Sequence, residues 1–348
     1  MDFILPLLTS FLFSFVAIRL SKPIAIKAGL VDVPNQRKLH VGAIPLVGGI
    51  GIYISILTAS MIFIDQSREL NIYHVAAALV LFLGALDDRN DLSVKLRIIA
   101  QVIVASLMIF GTELYFTSLG HILGSVELSL GIFGAMFTVI AIIAGINAIN
   151  MMDGIDGLAG SVSLIACIGL AFLLHRADSY WLLLPVLFIS SLMAYLMFNL
   201  GWHRSLTKVF MGDAGNMFIG LTIVWLMVVG VEDSEPAFRP VTCLYLIAIP
   251  LMDMVAIMFR RIKKGRSPFL ADREHLHHIF ERAGFSRKQT LLIITSICIV
   301  FAIVGCWSEI AQVPEWIMFT MFIGIFLLYN WTLQNIWTVL KKIRQNQA

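Results

Sequence analysis

Apolar residues fill long runs of this chain, and polar residues gather in the short breaks between them. A helix that crosses a bilayer needs about 20 mostly apolar residues. Such runs lie at 3–20, 43–64, 72–86, 97–116, 131–150, 158–174, 181–200, 213–230, 241–259, 290–307 and 316–338. They predict eleven transmembrane helices and an all-α, polytopic fold. The runs at 72–86 and 158–174 are short and abut polar motifs, so those helices are expected to continue past the membrane or to break there. The two halves share no paired broken helices of the transporter kind.

Composition agrees with this pattern. The 348 residues would suggest two domains by length alone. However, apolar residues make up 59% and charged residues 14%, against about 45–50% and about 25% in soluble domains. A mean hydropathy of +0.89 points the same way. These values exclude a soluble enzyme, a disordered chain and a nucleic-acid-binding domain. They predict one integral-membrane domain over 1–348, embedded in the lipid bilayer. Cys167, Cys243, Cys298 and Cys306 all fall in apolar runs without a CxxC spacing, and are expected to be free thiols packed as small hydrophobes.

Charge sets the orientation. The first apolar run follows Asp2 and is trailed by Arg19, Lys22 and Lys27, opposite to a cleavable secretory signal. With that end outside, 22 of the 25 Lys and Arg fall on the inner side. They include Arg37 and Lys38, nine residues in 260–288 (Arg273 among them), and Lys341, Lys342 and Arg344. Only Arg68, Arg176 and Arg239 fall outside. The positive-inside rule thus predicts a periplasmic N-terminus and a cytoplasmic C-terminus. The loops 21–42, 87–96, 151–157, 201–212 and 260–289 would form one cytoplasmic face.

The acids on that face carry the chemical signal. Eleven of 22 lie there, Asp272 among them, mostly at helix ends within Gly- and Asn-rich motifs. Asp87, Asp88 and Asp91 close the third run. Adjacent carboxylates repel and are expensive at the edge of a membrane. Asp87 and Asp91 would share a helix face at i,i+4. Such a group suits a hard cation like Mg²⁺, which binds through one or two carboxylates plus substrate phosphates.

Asn147, Asn150 and Asp153 follow at i,i+3, and two Asp-Gly pairs, at Asp153 and Asp156, break the helix. No twelve-residue loop with a closing Glu follows, so an EF-hand is a poor match. Phe210-Met211-Gly212-Asp213-Ala214-Gly215 opens the eighth run. A glycine turn before a helix lets backbone approach a phosphate, and the helix N-terminus attracts anions. Beyond the basic run at 260–266, Ser267-Pro268-Phe269 is followed by His275, His277 and His278. The basic run alone fits an inner face or anionic lipid. The histidines suit zinc, for which no fourth ligand is evident, or an anionic substrate. Carboxylates for a divalent ion, glycine turns and cationic side chains on one face together suit phosphoryl transfer.

Taken in order, Asp-Asp-x-x-Asp at 87–91, Asn-x-x-Asn-x-x-Asp-Gly-x-Asp-Gly at 147–157, Phe-Met-Gly-Asp-Ala-Gly at 210–215, Ile-Pro-Leu-Met-Asp-Met at 249–254, and Gly-Arg-Ser-Pro-Phe with His-x-His-His at 265–278 resemble the polyprenyl-phosphate N-acetylhexosamine-1-phosphate transferase superfamily. The resemblance covers essentially the whole chain and is nearest to the bacterial branch using N-acetylglucosamine. It implies transfer of N-acetylglucosamine 1-phosphate from UDP-N-acetylglucosamine to undecaprenyl phosphate in the bacterial inner membrane, with Mg²⁺ or Mn²⁺. The product would begin O-antigen or enterobacterial common antigen synthesis.

The resemblance also implies roles. Asp213 and Asn150 would hold the metal, and Asp87 and Asp88 would position or deprotonate the lipid phosphate. Asp91 would complete the catalytic acids, and Asn147 would join the substrate site. Asp153 and Asp156 would lie near the nucleotide, with Phe210 stacked on uracil. Arg266, His275, His277 and His278 would meet phosphates or sugar. A homodimer is compatible with all of this. Asn216 stands where the superfamily usually has Ser, which puts any hydroxyl-specific role in doubt. Asp91, where the peptidoglycan branch has Lys, argues against a muramoyl-pentapeptide substrate.

Two other classes compete. An Asp-rich intramembrane prenyltransferase would release diphosphate instead of UMP. A transporter would place its ionisable groups near the midplane. Asp253 is the one inner acid set well within a run; four residues on from Ile249 and three from Pro250, it is expected to support a kink.

Overall fold

The computed structural model describes residues 3–33, 42–268 and 274–345, with side chains through residue 335. Arg37, Lys38, Phe269, Asp272 and Arg273 lie outside the described residues, and Lys341, Lys342 and Arg344 outside the described side chains. Among the described residues, thirteen α-helices carry the fold. They are α1 (Ile4–Ala28), α2 (Gly48–Phe63), α3 (Arg68–Asn90), α4 (Val94–Thr112), α5 (Gly134–Met152), α6 (Leu158–Arg176) and α7 (Leu183–Asn199), followed by α8 (Gly212–Glu232), α9 (Pro240–Leu246), α10 (Ala248–Lys263), α11 (Leu276–Arg282), α12 (Arg287–Ile310) and α13 (Glu315–Gln345). The all-helical expectation needs one small amendment, since Val31–Asp32 pairs antiparallel with Ile44–Pro45. Leu46 then bridges in parallel to Phe210.

Among the described residues, nine helices are long and apolar enough to cross a membrane, or up to ten if α9 and α10 form one broken span. The chain is therefore a multi-pass membrane protein. The run at 43–64 yields only 16 helical residues in α2. The short run at 72–86 does continue, into a 23-residue α3 that carries Asp87 and Asp88 in its last turn. All four cysteines are free.

Helix α8 sits at the centre. Every residue in its most apolar stretch is buried, against 17% for α13 at the periphery. It packs on α2, α3, α5 and α6. In lipid, helices associate by close packing, which small residues permit. A Cβ at Gly49 would fall 2.1 Å from the Gly215 Cα, and one at Gly84 would fall 2.3 Å from the Ala214 Cα. These contacts bring α2 and α3 backbone to backbone with the start of α8. Buried hydroxyls add ties: Tyr73 to Thr222 at 2.9 Å, and Ser10 to Ser191 at 2.7 Å.

The segment 240–263 bends by 83° between α9 and α10. Pro250 has no N–H to donate back to Leu246, so the helix cannot run straight through. The bend falls at Ile247. Asp253, expected to support that kink, is engaged elsewhere, as described below.

Candidate active site

The site is built on the start of α8. Gly212 has φ +75°, a left-handed conformation that costs a residue with a Cβ. The turn aims the first backbone N–H groups of α8 at the end of α3. The N–H of Asp213 donates to Asp88 Oδ1 at 2.8 Å and that of Ala214 to Asp88 Oδ2 at 3.2 Å. Free N–H groups and the positive end of the helix dipole both favour an anion there. The expectation was a substrate phosphate approaching this turn. The structure places the Asp88 carboxylate on it instead.

Asp213 then points its carboxylate towards α5, where Asn150 Nδ2 donates to Oδ1 at 2.6 Å. The Asp87 carboxyl lies within interaction range of Asp213. Asp87 is buried and already held: it accepts from Arg97 at 3.0 Å and from the Leu92 N–H at 2.8 Å. The adjacent acids of the first motif thus differ. Asp88 caps α8, while Asp87 ties α3 to the start of α4.

The second motif wraps around the same place. Helix α5 stops at Met152, so Asp153 is its non-helical cap. Asn216, one turn into α8, donates from Nδ2 to Asp153 Oδ2 at 2.7 Å. Asp153 is exposed, yet desolvation by the surrounding protein raises its pKa to about 6, against the lowering effect of the Asn216 bond. The other amide atom of Asn216, Oδ1, is buried without a hydrogen-bond partner. Gly157, at φ +80°, starts α6, and its N–H donates to Asn199 Oδ1 at 2.6 Å. Asn199 Nδ2 donates in turn to the Val209 carbonyl at 2.9 Å. Asn199 therefore locks the Asp-Gly turn to the strand-like entry of α8. Asp156 pairs with Lys208 at 2.6 Å, and the same ammonium lies 5.2 Å from the Phe210 ring centre.

The histidines arrive from the far end of the chain. His277 packs on Gly154 so closely that a Cβ there would fall 1.9 Å from its Nε2. It is buried, and neither ring nitrogen has a hydrogen-bond partner. Burial, then the neighbouring His278 and His275, push its pKa down to about 2, so the ring is neutral. His275 stacks parallel to His277, with ring centres 5.7 Å apart and planes at 9°. His278 meets Glu281 at 3.3 Å.

Three expected residues do not join. Asp91 does not share a helix face with Asp87, because the helix has ended there. It caps α3 in a left-handed conformation at φ 49°, exposed, with its N–H on the Asp87 carbonyl. Asn147 donates to Gln101 at 3.0 Å and to the Ile143 carbonyl, tying α4 to α5. The Arg266 side chain is exposed, and its backbone N–H closes the turn after α10 on the Arg261 carbonyl.

Sequence reasoning missed Arg97, Asn199 and Lys208 as parts of the site. Arg97 and Lys208 entered only within the count of inner-side charges, and Asn199 lay inside the apolar run 181–200 without a role. For Arg97 and Lys208 the available signal was a basic residue a few positions from an acidic motif; Asn199 had no such neighbour.

Among the described residues, no group of three or more His, Cys, Asp or Glu side chains has the arrangement of a metal cluster.

Residues 70–231 match the family described as Glycosyl transferase family 4. Relatives extend over nearly the whole chain. A Yersinia pestis undecaprenyl-phosphate alpha-N-acetylglucosaminyl 1-phosphate transferase is 42% identical, covering 96% of this chain and 92% of its own length. The protein of the same name from Salmonella typhi is 42% identical over 97% and 93%, and that from Pasteurella multocida 43% over 98% and 96%. With identity at this level along almost its entire length, and with the acidic and glycine motifs meeting at the start of α8 and His277 packed on the adjoining Gly154, the chain belongs to the family of undecaprenyl-phosphate N-acetylglucosaminyl 1-phosphate transferases.

Proposed function

We propose that this protein transfers N-acetylglucosamine 1-phosphate from UDP-N-acetylglucosamine to undecaprenyl phosphate, giving undecaprenyl-diphospho-N-acetylglucosamine and UMP. An oxygen of the lipid phosphate bonds to the β-phosphorus, and the bond from that phosphorus to the bridging oxygen breaks as UMP departs with the electron pair. The observation that carries this reading is the meeting of Asp88, Asp213, Asn150, Asp153 and His277, from four distant segments, around the start of α8.

The donor set fits a hard cation. Two facing carboxyls, Asp87 and Asp213, repel unless a cation or proton lies between them. Mg²⁺ is content with one or two protein carboxylates, taking its other oxygens from phosphates and water. Asp213 and Asn150 would hold Mg²⁺, or Mn²⁺ in its place, and the ion would neutralise charge on the diphosphate.

The chain's own residues do the rest. Asp88 holds the backbone that presents Asp213. Lys208 offers positive charge, and the imidazoles offer hydrogen bonds, where phosphate charge develops. Asp156 and Phe210, on either side of Lys208, form the region suited to the nucleotide. A lipid phosphate oxygen is already anionic at neutral pH. It can therefore attack directly, and Asp87 and Asp88 are free to act as structural anchors instead of bases.

The membrane arrangement completes the reading. Eleven crossings, counting α2 as a short one and α9 with α10 as one broken span, put the N-terminus in the periplasm and the C-terminus in the cytoplasm of the bacterial inner membrane. The product would open O-antigen or enterobacterial common antigen assembly.

The test is to incubate purified protein with radiolabelled UDP-N-acetylglucosamine, undecaprenyl phosphate and Mg²⁺. Formation of the labelled diphospholipid together with UMP is expected. Diphosphate as the released product, or label that stays water-soluble, would overturn the assignment.

A further inference from the structure

Asp253 lies six residues beyond the bend at Ile247 and is 1% exposed. An isolated carboxylate at that depth is costly unless donors surround it. Three donors do, two at the start of α11 and one on α13. His275 Nδ1 lies 3.0 Å from Oδ2, the Leu276 backbone N–H donates to Oδ1 at 3.2 Å, and the Tyr329 hydroxyl of α13 donates to Oδ1 at 2.8 Å. The carboxylate can only accept, so the proton on His275 sits at Nδ1 and Nε2 is left for another partner.

The ring so fixed does not stand alone. It stacks parallel on His277, which rests on Gly154 beside Asp153. Behind the carboxylate, Ile249, Met252, Leu276 and Tyr329 help to line an apolar cavity of about 300 Å³. In such surroundings a hydrogen bond counts for more than it does in water.

We propose that Asp253 and Tyr329 are positioning residues for the transfer reaction. Together they fix the tautomer and ring plane of His275, and through its stack with His277 they hold the histidine pair against the Asp153–Gly154 turn. The inference rests on the reading above that the histidines meet the substrate. Neither Asp253 nor Tyr329 need touch substrate. Their effect passes through His275.

A double-mutant cycle on the full-length protein tests this. Asp253→Asn keeps the shape but offers an amide that no longer fixes the Nδ1 proton. Tyr329→Phe removes one hydroxyl at a half-buried position. Turnover, KM for UDP-N-acetylglucosamine and thermal midpoint are measured for each single variant, for His275→Gln, and for each pair with His275→Gln. Tyr329→Phe is expected to lower kcat about tenfold and Asp253→Asn about a hundredfold, with KM within about twofold and the midpoint unchanged. In the His275→Gln background each should cost less than about twofold, because the ring they orient is gone.

Losses that multiply in the paired variants, or a midpoint that falls in step with kcat, would overturn the proposal. Should Asp253→Asn fail to insert, Tyr329→Phe carries the same comparison alone. If His275→Gln by itself keeps full activity, the reading of the histidines as substrate contacts fails, and the positioning proposal fails with it. Multiplying losses with an impaired His275→Gln reject only the positioning role.

Discussion

Asp88 caps the helix that presents Asp213: its two carboxylate oxygens take the N–H groups of Asp213 and Ala214, 125 and 126 residues further along the chain. The contact depends on Gly84, one helical turn before Asp88. There α3 lies directly against Ala214, with no room for a Cβ. The second acid of the first motif therefore acts on the third motif through backbone, and the placement of Asp213 depends on it.

Removing that cap should be costly. Asp88→Ala leaves two N–H groups unpaired and frees the Gly212 turn. Activity should fall at least about a hundredfold, in line with loss of hydrogen bonds to a charged group. Asp88→Asn, which can still accept one of the two, should retain more. Initial rates of lipid product formation at matched protein levels decide this, and equal losses in the two variants would contradict the capping role.

Gly212→Ala makes a second, independent test of the same turn. The new Cβ would lie 2.6 Å from Asp88 Oδ2 at a φ of +75°, and the left-handed conformation alone costs about 1–2 kcal/mol. The protein should insert with a lower thermal midpoint and with most activity lost. Wild-type midpoint and rate would show that the turn tolerates a side chain.

Asp213→Asn should abolish metal-dependent turnover while leaving the protein inserted, because an amide carries no charge to hold a divalent cation. The readout is activity across a Mg²⁺ titration, with protein content followed in membranes. Full activity at ordinary Mg²⁺ would remove Asp213 from the metal site.

Asn216→Ser should lower activity about three- to tenfold, the worth of one lost hydrogen bond to a carboxylate. The Asn amide reaches Asp153 at 2.7 Å, and a serine hydroxyl is one bond shorter. Asn216→Leu, unable to donate at all, should be worse than Ser. A serine variant with undiminished kcat would show that the contact to Asp153 is dispensable.

His277 should make the protein acid-sensitive. Its pKa is about 2 when folded against 6.5 for the free group. Between those values the unfolded chain binds the extra proton, so stability rises with pH. The contribution is complete above pH about 6.5 and is lost as pH falls below it, by up to about 1.4 kcal/mol per pH unit. Thermal midpoints between pH 7.5 and 5 should fall more steeply for wild type than for His277→Gln. Parallel curves would mean that the ring is not held neutral.

Much of this molecule was legible from its sequence. Apolar runs of bilayer length located the helices, since hydrocarbon demands such runs and tolerates little else. The Gly-flanked acids pointed to their own importance, because unpaired carboxylates are too expensive at helix ends to be kept idly. The broken helix near Pro250 and the end of α5 before two Asp-Gly pairs likewise follow from local chemistry.

What only the tertiary structure decided is which group answers which. Spacing placed Asp87 and Asp91 on one face, but the left-handed turn at Asp91 removed it. Asp253 looked like a partner for a kink and proved to be the anchor of His275. Asp88 was expected to position or deprotonate the lipid phosphate, and the structure shows its carboxylate capping α8. Periodicity reports which face of a helix is buried, and it does so from neighbours three or four residues away. A hydrogen bond between residues 88 and 213 depends instead on how closely two helices approach, at what angle and in what register. Those quantities are settled by the packing of Gly84 on Ala214 and Gly49 on Gly215, contacts between distant parts of the chain that no local pattern encodes.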